Sequence, residues 1–455
     1  MTPLHLACKY GYDEVAELLI DKIDAERLIN PTHTIDFNKT LPLHLACEHK
    51  NEKYFIVRKI LDKLKATPSK LNLLEVALKK EDSSRQTILL IAIENNHLNI
   101  VESLFRDYNV NREQRNGHNG NYAIHYVAKS GSLEMFNLLQ KYNAVSFRTN
   151  NNKENALHIA AHHNKHRFIT EFLKYEALLM HNQEEKTSIP MPCMCLCDEE
   201  EFMPSNKQKD SKHYTPLFKA IAAGNQKCVE VLLTNEKNVD IDAVKDINGN
   251  TMFHICAEFD NSESLKYLFQ THSSDNIYAK NNLEDTILHN ACRNGNLEMV
   301  KAILNKCEDS SSQIEEFLFS KNKDGQTCFH IACVKGYCNI VEYFLKEKRL
   351  NAFLDHYDNN SNTSLHLATL NGNSSIVTVL LDYGADVKAK NEESITALDL
   401  SCRKGFFEIS KNIINNYSTF TSSEKEFPLH MACYEGATEV VKLLLLKGKQ
   451  AFANF

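Results

Sequence analysis

Short apolar runs alternate with polar segments along the chain, and the runs come in pairs. The first run of a pair follows a phrase such as Thr-Pro-Leu-His-Leu-Ala at residues 2–7, and the second has apolar residues at helical spacing, as at residues 15–19. A polar loop, for example residues 246–250, then precedes the next pair. The pattern predicts a helix, a turn and a second helix, repeated along the chain.

The phrase recurs twelve times and defines a common register. With its His as position zero, the copies are centred on residues 5, 44, 90, 125, 158, 218, 254, 289, 330, 366, 399 and 430, where only Leu90, Phe218 and Asp399 are not His. At position +6, eight copies have Gly, three have Asn96, Asn164 or Asp260, and Lys50 departs from the pattern. These residue types tolerate a left-handed backbone, so position +6 predicts a tight cap at the end of the first helix. The Thr that opens most copies is a favoured N-cap residue.

These residues resemble the ankyrin repeat in the Thr-x-Leu-His-x-Ala phrase, the Gly at +6 and the paired Leu of the second helix, over nearly the whole chain. In that family the Thr caps the first helix, and the His bonds to neighbouring backbone and ties successive loops together. The resemblance implies an all-α solenoid of about twelve stacked helix-turn-helix repeats. Repeats 1–5 are expected over residues 1–180 and repeats 6–12 over residues 214–455.

One long interruption separates the fifth and sixth copies, whose centres are 60 residues apart. Residues 181–213 are rich in Lys, Glu, Ser and Pro and have little periodicity, which predicts a mobile loop insertion. Smaller insertions at residues 65–74 and 307–319 contain apolar residues, and each is expected to add a helical turn.

Composition is typical of an intracellular array. The chain has 455 residues, of which 43% are hydrophobic and 24% charged, with a formal net charge of −7. No apolar run approaches the roughly 20 residues that span a bilayer, and the acidity argues against a nucleic-acid-binding face. Seven cysteines fall on the small positions of the repeat, which indicates reduced thiols that pack in the core of a cytosolic protein: Cys8, Cys47, Cys256, Cys292, Cys333, Cys402 and Cys433.

The long insertion contains three alternating cysteines, Cys193, Cys195 and Cys197, followed by an acidic run. Such thiols could bind a soft ion such as Cu(I) or react with electrophiles. Structural zinc sites usually need a second Cys pair, and the acidic run raises thiol pKa values. An inert, reduced loop is therefore the favoured interpretation, and a metal or redox role is the alternative.

Other candidate chemistry is weak. Repeated His residues on helices about 8–10 Å apart cannot share a metal ion, and Asn164 should break the helix between His162 and His166. Asp399 is expected to accept hydrogen bonds from its own loop rather than to act as a catalytic acid. Phosphate-loop, dinucleotide-binding and His-Glu-x-x-His motifs are absent from the sequence. We therefore predict neither an enzyme nor a bound cofactor or metal.

Protein binding remains as the predicted activity. Partner contacts are expected from first-helix and loop residues that the repeat itself does not require, with aromatic and Arg residues as anchors. The alternative for Phe406 and Phe407 is simple packing on the neighbouring repeat. The main candidates are Tyr10, Tyr12, Phe259, Tyr337, Arg403, Phe406, Phe407 and Tyr434, together with Asp260 and Asn371.

The number of repeats, their uneven spacing and the long insertion resemble the cytosolic N-terminal region of TRPA-type (transient receptor potential ankyrin) cation channels, most closely over residues 362–414. Both ends of the sequence lack a polar capping repeat, so a fragment of a longer chain is expected. The resemblance implies six membrane helices beyond Phe455, a tetramer, and a place on the cytosolic face of the plasma membrane. The alternatives are a soluble cytoplasmic scaffold or adaptor and, less favoured, a secreted ankyrin-rich toxin.

Overall fold

The computed structural model describes residues 2–29, 40–67, 72–184, 204–235, 244–271, 277–307, 313–346, 354, 356–416 and 422–447. The chain forms two compact units, Met1–Val239 and Asp240–Phe455. The described residues form helices joined by turns and loops, with only two isolated antiparallel bridges between single residues. The expected all-α fold is confirmed.

The first unit contains six repeats. Its helices are α1 (Pro3–Tyr10), α2 (Asp13–Lys22), α3 (Ala25–Ile29), α4 (Pro42–Glu48), α5 (Tyr54–Ala66), α6 (Leu73–Lys79), α7 (Ile88–Glu94), α8 (Leu98–Arg106), α9 (Ala123–Ser130), α10 (Leu133–Lys141), α11 (Ala156–His162), α12 (His166–Glu184), α13 (Pro216–Ala222) and α14 (Gln226–Asn235).

The second unit contains the remaining six repeats. Its helices are α15 (Met252–Glu258), α16 (Ser262–Thr271), α17 (Ile287–Asn294), α18 (Leu297–Cys307), α19 (Gln313–Leu318), α20 (Cys328–Lys335), α21 (Cys338–Lys346), α22 (Ser364–Leu370), α23 (Ser374–Asp382), α24 (Ala397–Arg403), α25 (Phe407–Asn416), α26 (Ser422–Tyr434) and α27 (Thr438–Lys447).

The predicted caps set the ends of the first helices. Thr327 lies just before α20, and its side chain accepts a hydrogen bond from the N–H of His330. Gly336 ends the same helix with a left-handed φ of 86°. The other seven Gly residues at +6 also have positive φ, as do Asn96, Asn164 and Asp260. The +6 prediction is therefore confirmed, and at the exceptional Lys50 the helix α4 instead ends at an extended His49.

The twelfth repeat departs from the expected helix start. Its phrase begins at Phe427, where a helix should open, but α26 already begins at Ser422 and continues through Pro428. A Thr is missing from this copy, and Ser422 precedes a run of good helix formers. Cys433 on α26 is exposed, whereas the other six cysteines at the small positions are buried. The prediction that Cys433 packs in the core was wrong, because no described helix covers this side of α26.

The core lies between the two helices of each repeat and between neighbouring repeats. First helices contact first helices, as in α11 against α13 and α17 against α20, and second helices do the same, as in α23 against α25. Position +10, on the second helix, is fully buried in every repeat from the third to the twelfth. Its counterpart in the first repeat, Val15, is 49% exposed, and that in the second, Tyr54, is half-buried. This position therefore belongs to the core from the third repeat onward.

Three short helices lie outside the pairs. The helix α19 lies inside the insertion at 307–319, as expected, whereas α6 begins only at the end of the 65–74 insertion and runs beyond it. The five-residue α3 was not anticipated. It contacts both α5 and α6.

Of the predicted loop at residues 181–213, the first four continue α12, and residues 204–213 form a turn and the hairpin of the sixth repeat. The remainder, including Cys193, Cys195 and Cys197, lies outside the described residues. In the turn, the buried Glu176 carboxylate accepts hydrogen bonds from the N–H and hydroxyl of Ser205 at 3.0 and 2.6 Å.

Candidate protein-binding groove and hairpin edge

Each hairpin loop is built on one Asp or Asn side chain. In repeats 3–11 this residue lies eight positions before position zero, or nine in the fourth repeat, and one side-chain oxygen accepts two N–H groups of the following turn. Such Asx turns pre-form a tight loop. The residues are Asp82, Asn116, Asn150, Asp210, Asp246, Asn281, Asn322, Asp358 and Asn391.

Neighbouring hairpins are bonded directly to each other within each unit. In the first unit, backbone N–H groups of Gly117, Asn151 and Ser211 donate to the preceding hairpin at 2.9–3.1 Å. In the second unit, those of Asn282, Lys323, Asn359 and Glu392 do the same at 2.9–3.1 Å. The hairpin tips of each unit therefore form one continuous edge.

The repeated His side chains form a second set of bonds between repeats. In eight repeats the Nδ1 atom accepts a backbone N–H from the residue just before the helix at 2.9–3.3 Å. The Nε2 atom therefore carries the proton, and it donates to a backbone carbonyl in or next to the following hairpin at 2.8–3.1 Å. Burial lowers the pKa of His125, His158 and His330 to about 4, although each also bonds a backbone carbonyl. The ladder is thus made of neutral imidazoles.

A polar groove lies between the hairpins and first helices of repeats 3 and 4. It encloses about 550 Å³, and hairpin residues line it together with Glu94 on α7 and Tyr126 and Lys129 on α9. Gln86 donates to the Glu94 carboxylate at 2.7 Å and to the Tyr126 hydroxyl at 3.0 Å. Lys129 lies 3.3 Å from Glu94. The side chains are thereby held in one arrangement, which suits recognition of a defined polar partner surface.

An ionic contact replaces apolar packing between repeats 5 and 6. Position +1 is mostly apolar elsewhere, but here it is Lys219, which lies 2.9 Å from Glu154 and 3.0 Å from Asp210. Burial alone would raise the pKa of Glu154, but hydrogen bonds from Asn150 and Lys219 outweigh it and lower that pKa. The Glu154 carboxylate and the Lys219 ammonium thus form an ion pair at neutral pH.

The second unit has a comparable polar surface. Arg293 on α17 donates to Asp285 at 2.7 Å and to Asn290 at 2.9 Å. The other oxygen of Asp285 accepts from Asn322 of the next hairpin at 3.0 Å. Hairpin and first-helix side chains therefore form one network here too.

The structure places the predicted anchors in two different settings. Tyr10, Tyr12, Phe259, Arg403 and Tyr434 are exposed, and Tyr434 most of all at 85%. The side chains of Tyr337, Phe406 and Phe407 are half-buried. A Cβ added to Gly295 would overlap the Tyr337 ring, and one added to Gly372 would lie 3.3 Å from the Phe406 ring. Tyr337 and Phe406 thus pack over the turn of the preceding repeat.

Sequence reasoning missed a role of position +7 in joining repeats. The amide of Asn373 donates to the carbonyls of Cys333 and Val334 at 2.7 and 3.0 Å. The amide of Asn225 donates likewise to the carbonyls of Ala161 and His162. The recurrence of Asn at this position, directly after the Gly, was the available signal.

Candidate reactive groups are not gathered into a site in the described part of the chain. No group of His, Cys, Asp and Glu side chains there is arranged to hold a metal ion. The rings of His162 and His163 meet edge to face at 5.1 Å. Burial raises the pKa of the Cys8 and Cys402 thiols to about 12, although Ser410 and Ser401 partly offset the effect at Cys402. Asp399 accepts from the N–H and hydroxyl of Thr396 at 2.8 and 2.7 Å, as predicted.

These repeats, caps and ladders define an ankyrin array. The family description "Ankyrin repeats (3 copies)" matches residues 1–72, 89–183, 178–279, 253–353, 288–391 and 365–454, and the chain belongs to this family. No described helix is long and apolar enough to cross a membrane.

Among individual proteins, the chain is similar to the human Transient receptor potential cation channel subfamily A member 1, with 24% identity over 98% of this chain and 36% of that protein. Its homolog from Caenorhabditis elegans is 30% identical over 36% of this chain and 13% of that protein. The Nuclear factor NF-kappa-B p105 subunit of Gallus gallus is 23% identical over 60% of this chain and 28% of that protein. The chain thus spans about a third or less of the length of these relatives.

Proposed function

We propose that this chain binds other proteins through its groove and hairpin edge, and that it is the cytosolic sensing and gating region of a TRPA-type cation channel. The observation that carries the proposal is the similarity to the human channel over 98% of the chain. The expected location is the cytosolic face of the plasma membrane, with tetramer assembly through a membrane domain of the full-length protein.

The bonding between repeats supports a role in transmitting movement. Among the hairpins of repeats 3–6 and of repeats 7–11, each step combines a backbone bond with side-chain bonds, as between Asn248 and Asn282 and between His254 and Asp285. A displacement of one hairpin therefore loads its neighbour directly instead of being absorbed by a flexible loop. Stacked repeats contact only their nearest neighbours, so strain passes along the array one interface at a time.

A scaffold or adaptor is the second candidate. The chain is also similar to the Probable 26S proteasome regulatory subunit p28 of Saccharomyces cerevisiae, with 29% identity over 36% of this chain and 71% of that protein. The polar groove beside Tyr126 favours partner binding in either case, because a simple spacer needs no such ordered network. We propose no catalytic role for the array in either setting.

The test is electrical recording from cells that express the full-length protein, with electrophiles or temperature steps as stimuli. We expect a stimulus-dependent cation current whose activation changes when the array is deleted. Surface labelling of the full-length protein and of the variant without the array checks that both reach the plasma membrane. A full-length protein without membrane helices would reject the channel and leave the scaffold, and unchanged activation without the array would reject the gating role.

A further inference from the structure

The hairpin tips of the two units carry opposite charge. We define the tips as the residues that follow each Asx residue: 83–85, 117–120, 151–153 and 211–213 in the first unit, and 247–249, 282–284, 323–325, 359–361 and 392–394 in the second. The first set contains Arg85, Lys153 and Lys212 and no acidic residue, which gives +3. The second set contains one basic and four acidic residues, 1 − 4 = −3: Lys323 against Glu284, Asp324, Glu392 and Glu393.

The three cations of the first set, the basic tip row, are exposed. Arg85 donates to the carbonyl oxygen of Gly117 at 3.3 Å. Among the described residues none of the three forms an ion pair, in contrast to Lys219 between its two carboxylates. The cations of the basic tip row are therefore available to pair with an anionic ligand. It also stands out on a chain whose formal net charge is −7.

The row is held in fixed register. The backbone N–H of Gly117 donates to Arg85, that of Asn151 to Asn119, and that of Ser211 to Asn152, at 3.1, 3.0 and 2.9 Å. The tips of repeats 3, 4, 5 and 6 thus lie side by side in order, despite the long insertion between the last two. With helices stacked about 8–10 Å apart, the cations lie at steps of about two repeats and one repeat.

We infer that the basic tip row binds an acidic segment of a partner protein in extended conformation. This deepens the proposed protein-binding function and rests on it. An extended chain advances about 3.3 Å per residue, so about three residues span one repeat. A segment with Asp or Glu at about every third position places a carboxylate on each tip. The tip of repeat 4 carries His118, which adds a hydrogen-bonding group to the row.

Two other ligands fit less well. Proteins that hold single-stranded nucleic acid use aromatic stacking platforms, and these tips contain no Phe, Tyr or Trp. The acidic tips of a second copy have the opposite charge but match only part of the row. Their net charge falls on repeats 8 and 11, three repeats apart, because Lys323 offsets Asp324 within one tip. Rigid tip rows could therefore pair the cations of repeats 3 and 6 but would leave Lys153 on repeat 5 without a carboxylate, whereas a peptide with acidic residues at each repeat reaches all three.

The probe is a fluorescein-labelled peptide with Glu at about every third position and Ser or Gly between, measured by fluorescence anisotropy with the whole chain at about 50 mM salt. We expect the triple variant Arg85→Gln, Lys153→Gln, Lys212→Gln to weaken binding by roughly tenfold. The matched control is Lys323→Gln, Lys335→Gln, Lys404→Gln, which removes the same charge from exposed sites elsewhere and should change affinity by less than about twofold. A peptide with its Glu residues adjacent should bind several-fold more weakly.

Equal loss in both triple variants, or equal binding of the clustered peptide, would overturn the inference in favour of unspecific attraction. Tighter binding of oligothymidylate than of the spaced peptide would overturn it in favour of nucleic acid. If the peptide does not bind but the first triple variant abolishes a dimer in sedimentation, the occupant is a second copy. None of these results alters the recording experiment, so the tip row and the gating proposal fail independently.

Discussion

Repeats that carry the ladder His differ from the three that do not in what crosses the repeat interface. The ring of His330 accepts the N–H of Thr327 at 3.1 Å and donates to the carbonyl of His356 at 3.1 Å. Leu90 and Phe218 occupy the same place fully buried, and they supply volume but no hydrogen bond. Asp399 supplies half of the pattern. Its Oδ2 accepts from Thr396, while its Oδ1 is buried and accepts no hydrogen bond from the described residues.

The comparison shows that repeats can stack without the His hydrogen bonds that join a repeat to the next hairpin. Burial of the apolar faces holds every repeat, whether or not position zero can bond to its neighbour. The His adds two things that Leu and Phe cannot. It forms a hydrogen bond to the next hairpin, and it carries an imidazole whose protonated form is destabilised by burial. The ladder therefore determines how the array responds to acid, while the core determines that it folds.

Acid should have the largest effect on this difference. Burial holds the pKa of His125, His158 and His330 at about 4, against an ordinary value of 6.5. The unfolded chain therefore binds protons first, and stability is lost as the pH falls from about 6.5 towards about 4. Each such His lowers the free energy of unfolding by about 3 kcal/mol over that range, and the combined effect of three is comparable to the stability of a whole domain.

We expect the midpoint of denaturant unfolding, followed by circular dichroism, to fall steeply between pH 6.5 and 4.5 in both units. A variant that replaces one ladder His by Leu should show a shallower slope, because it binds one proton fewer on unfolding. The same midpoint at pH 7 and pH 5 would show that the ladder does not exclude the imidazolium.

The next effect comes from making a ladder repeat resemble the third repeat. His330→Leu leaves the Thr327 N–H and the His356 carbonyl without their partner. We expect a loss of about 2–4 kcal/mol in the free energy of unfolding at pH 7, since each orphaned buried group costs about 1–3 kcal/mol. The measurement is urea unfolding. The matched control is His118→Leu at an exposed hairpin tip, which should stay within about 0.5 kcal/mol. Equal changes in both variants would contradict the role of the ladder.

Much of this architecture could be predicted from the residues alone. The Thr, His and Gly of the phrase act on their own turn, so their geometry follows from local chemistry, and the left-handed Asn96, Asn164 and Asp260 followed the same rule. The start of α26 could not be predicted in this way. A Pro in a helix usually lies in its first turn, so Pro428 predicted a helix start near Phe427. The residues before Pro428 instead favour helix strongly enough that α26 begins upstream, at Ser422.

The binding surface was harder to predict than the fold. An aromatic residue at a variable position gives no sign of whether it covers a neighbour, and Tyr337 and Phe406 proved to lie over Gly295 and Gly372. The polar groove depends on which side chains of consecutive repeats meet, such as Gln86 and Tyr126. That pairing is set by the stack and not by either repeat alone. The hairpin Asx residues recur in the sequence eight positions before position zero, or nine in the fourth repeat, so this part of the edge could have been predicted.

The smallest effect should come from the repeat that has only half of the pattern. Asp399→Ala removes the acceptor of the Thr396 N–H and hydroxyl, but it also removes a buried Oδ1 atom that has no partner within the described part of the chain. These terms oppose each other, so we expect a loss of about 1 kcal/mol in urea unfolding, below that of His330→Leu. Asp399→Asn retains an acceptor for Thr396 and should cost less, and the exposed Asp382→Ala serves as the control. A loss equal to that of His330→Leu would mean that Asp399 also bonds to the following repeat, and the contrast between full and partial ladder positions would then disappear.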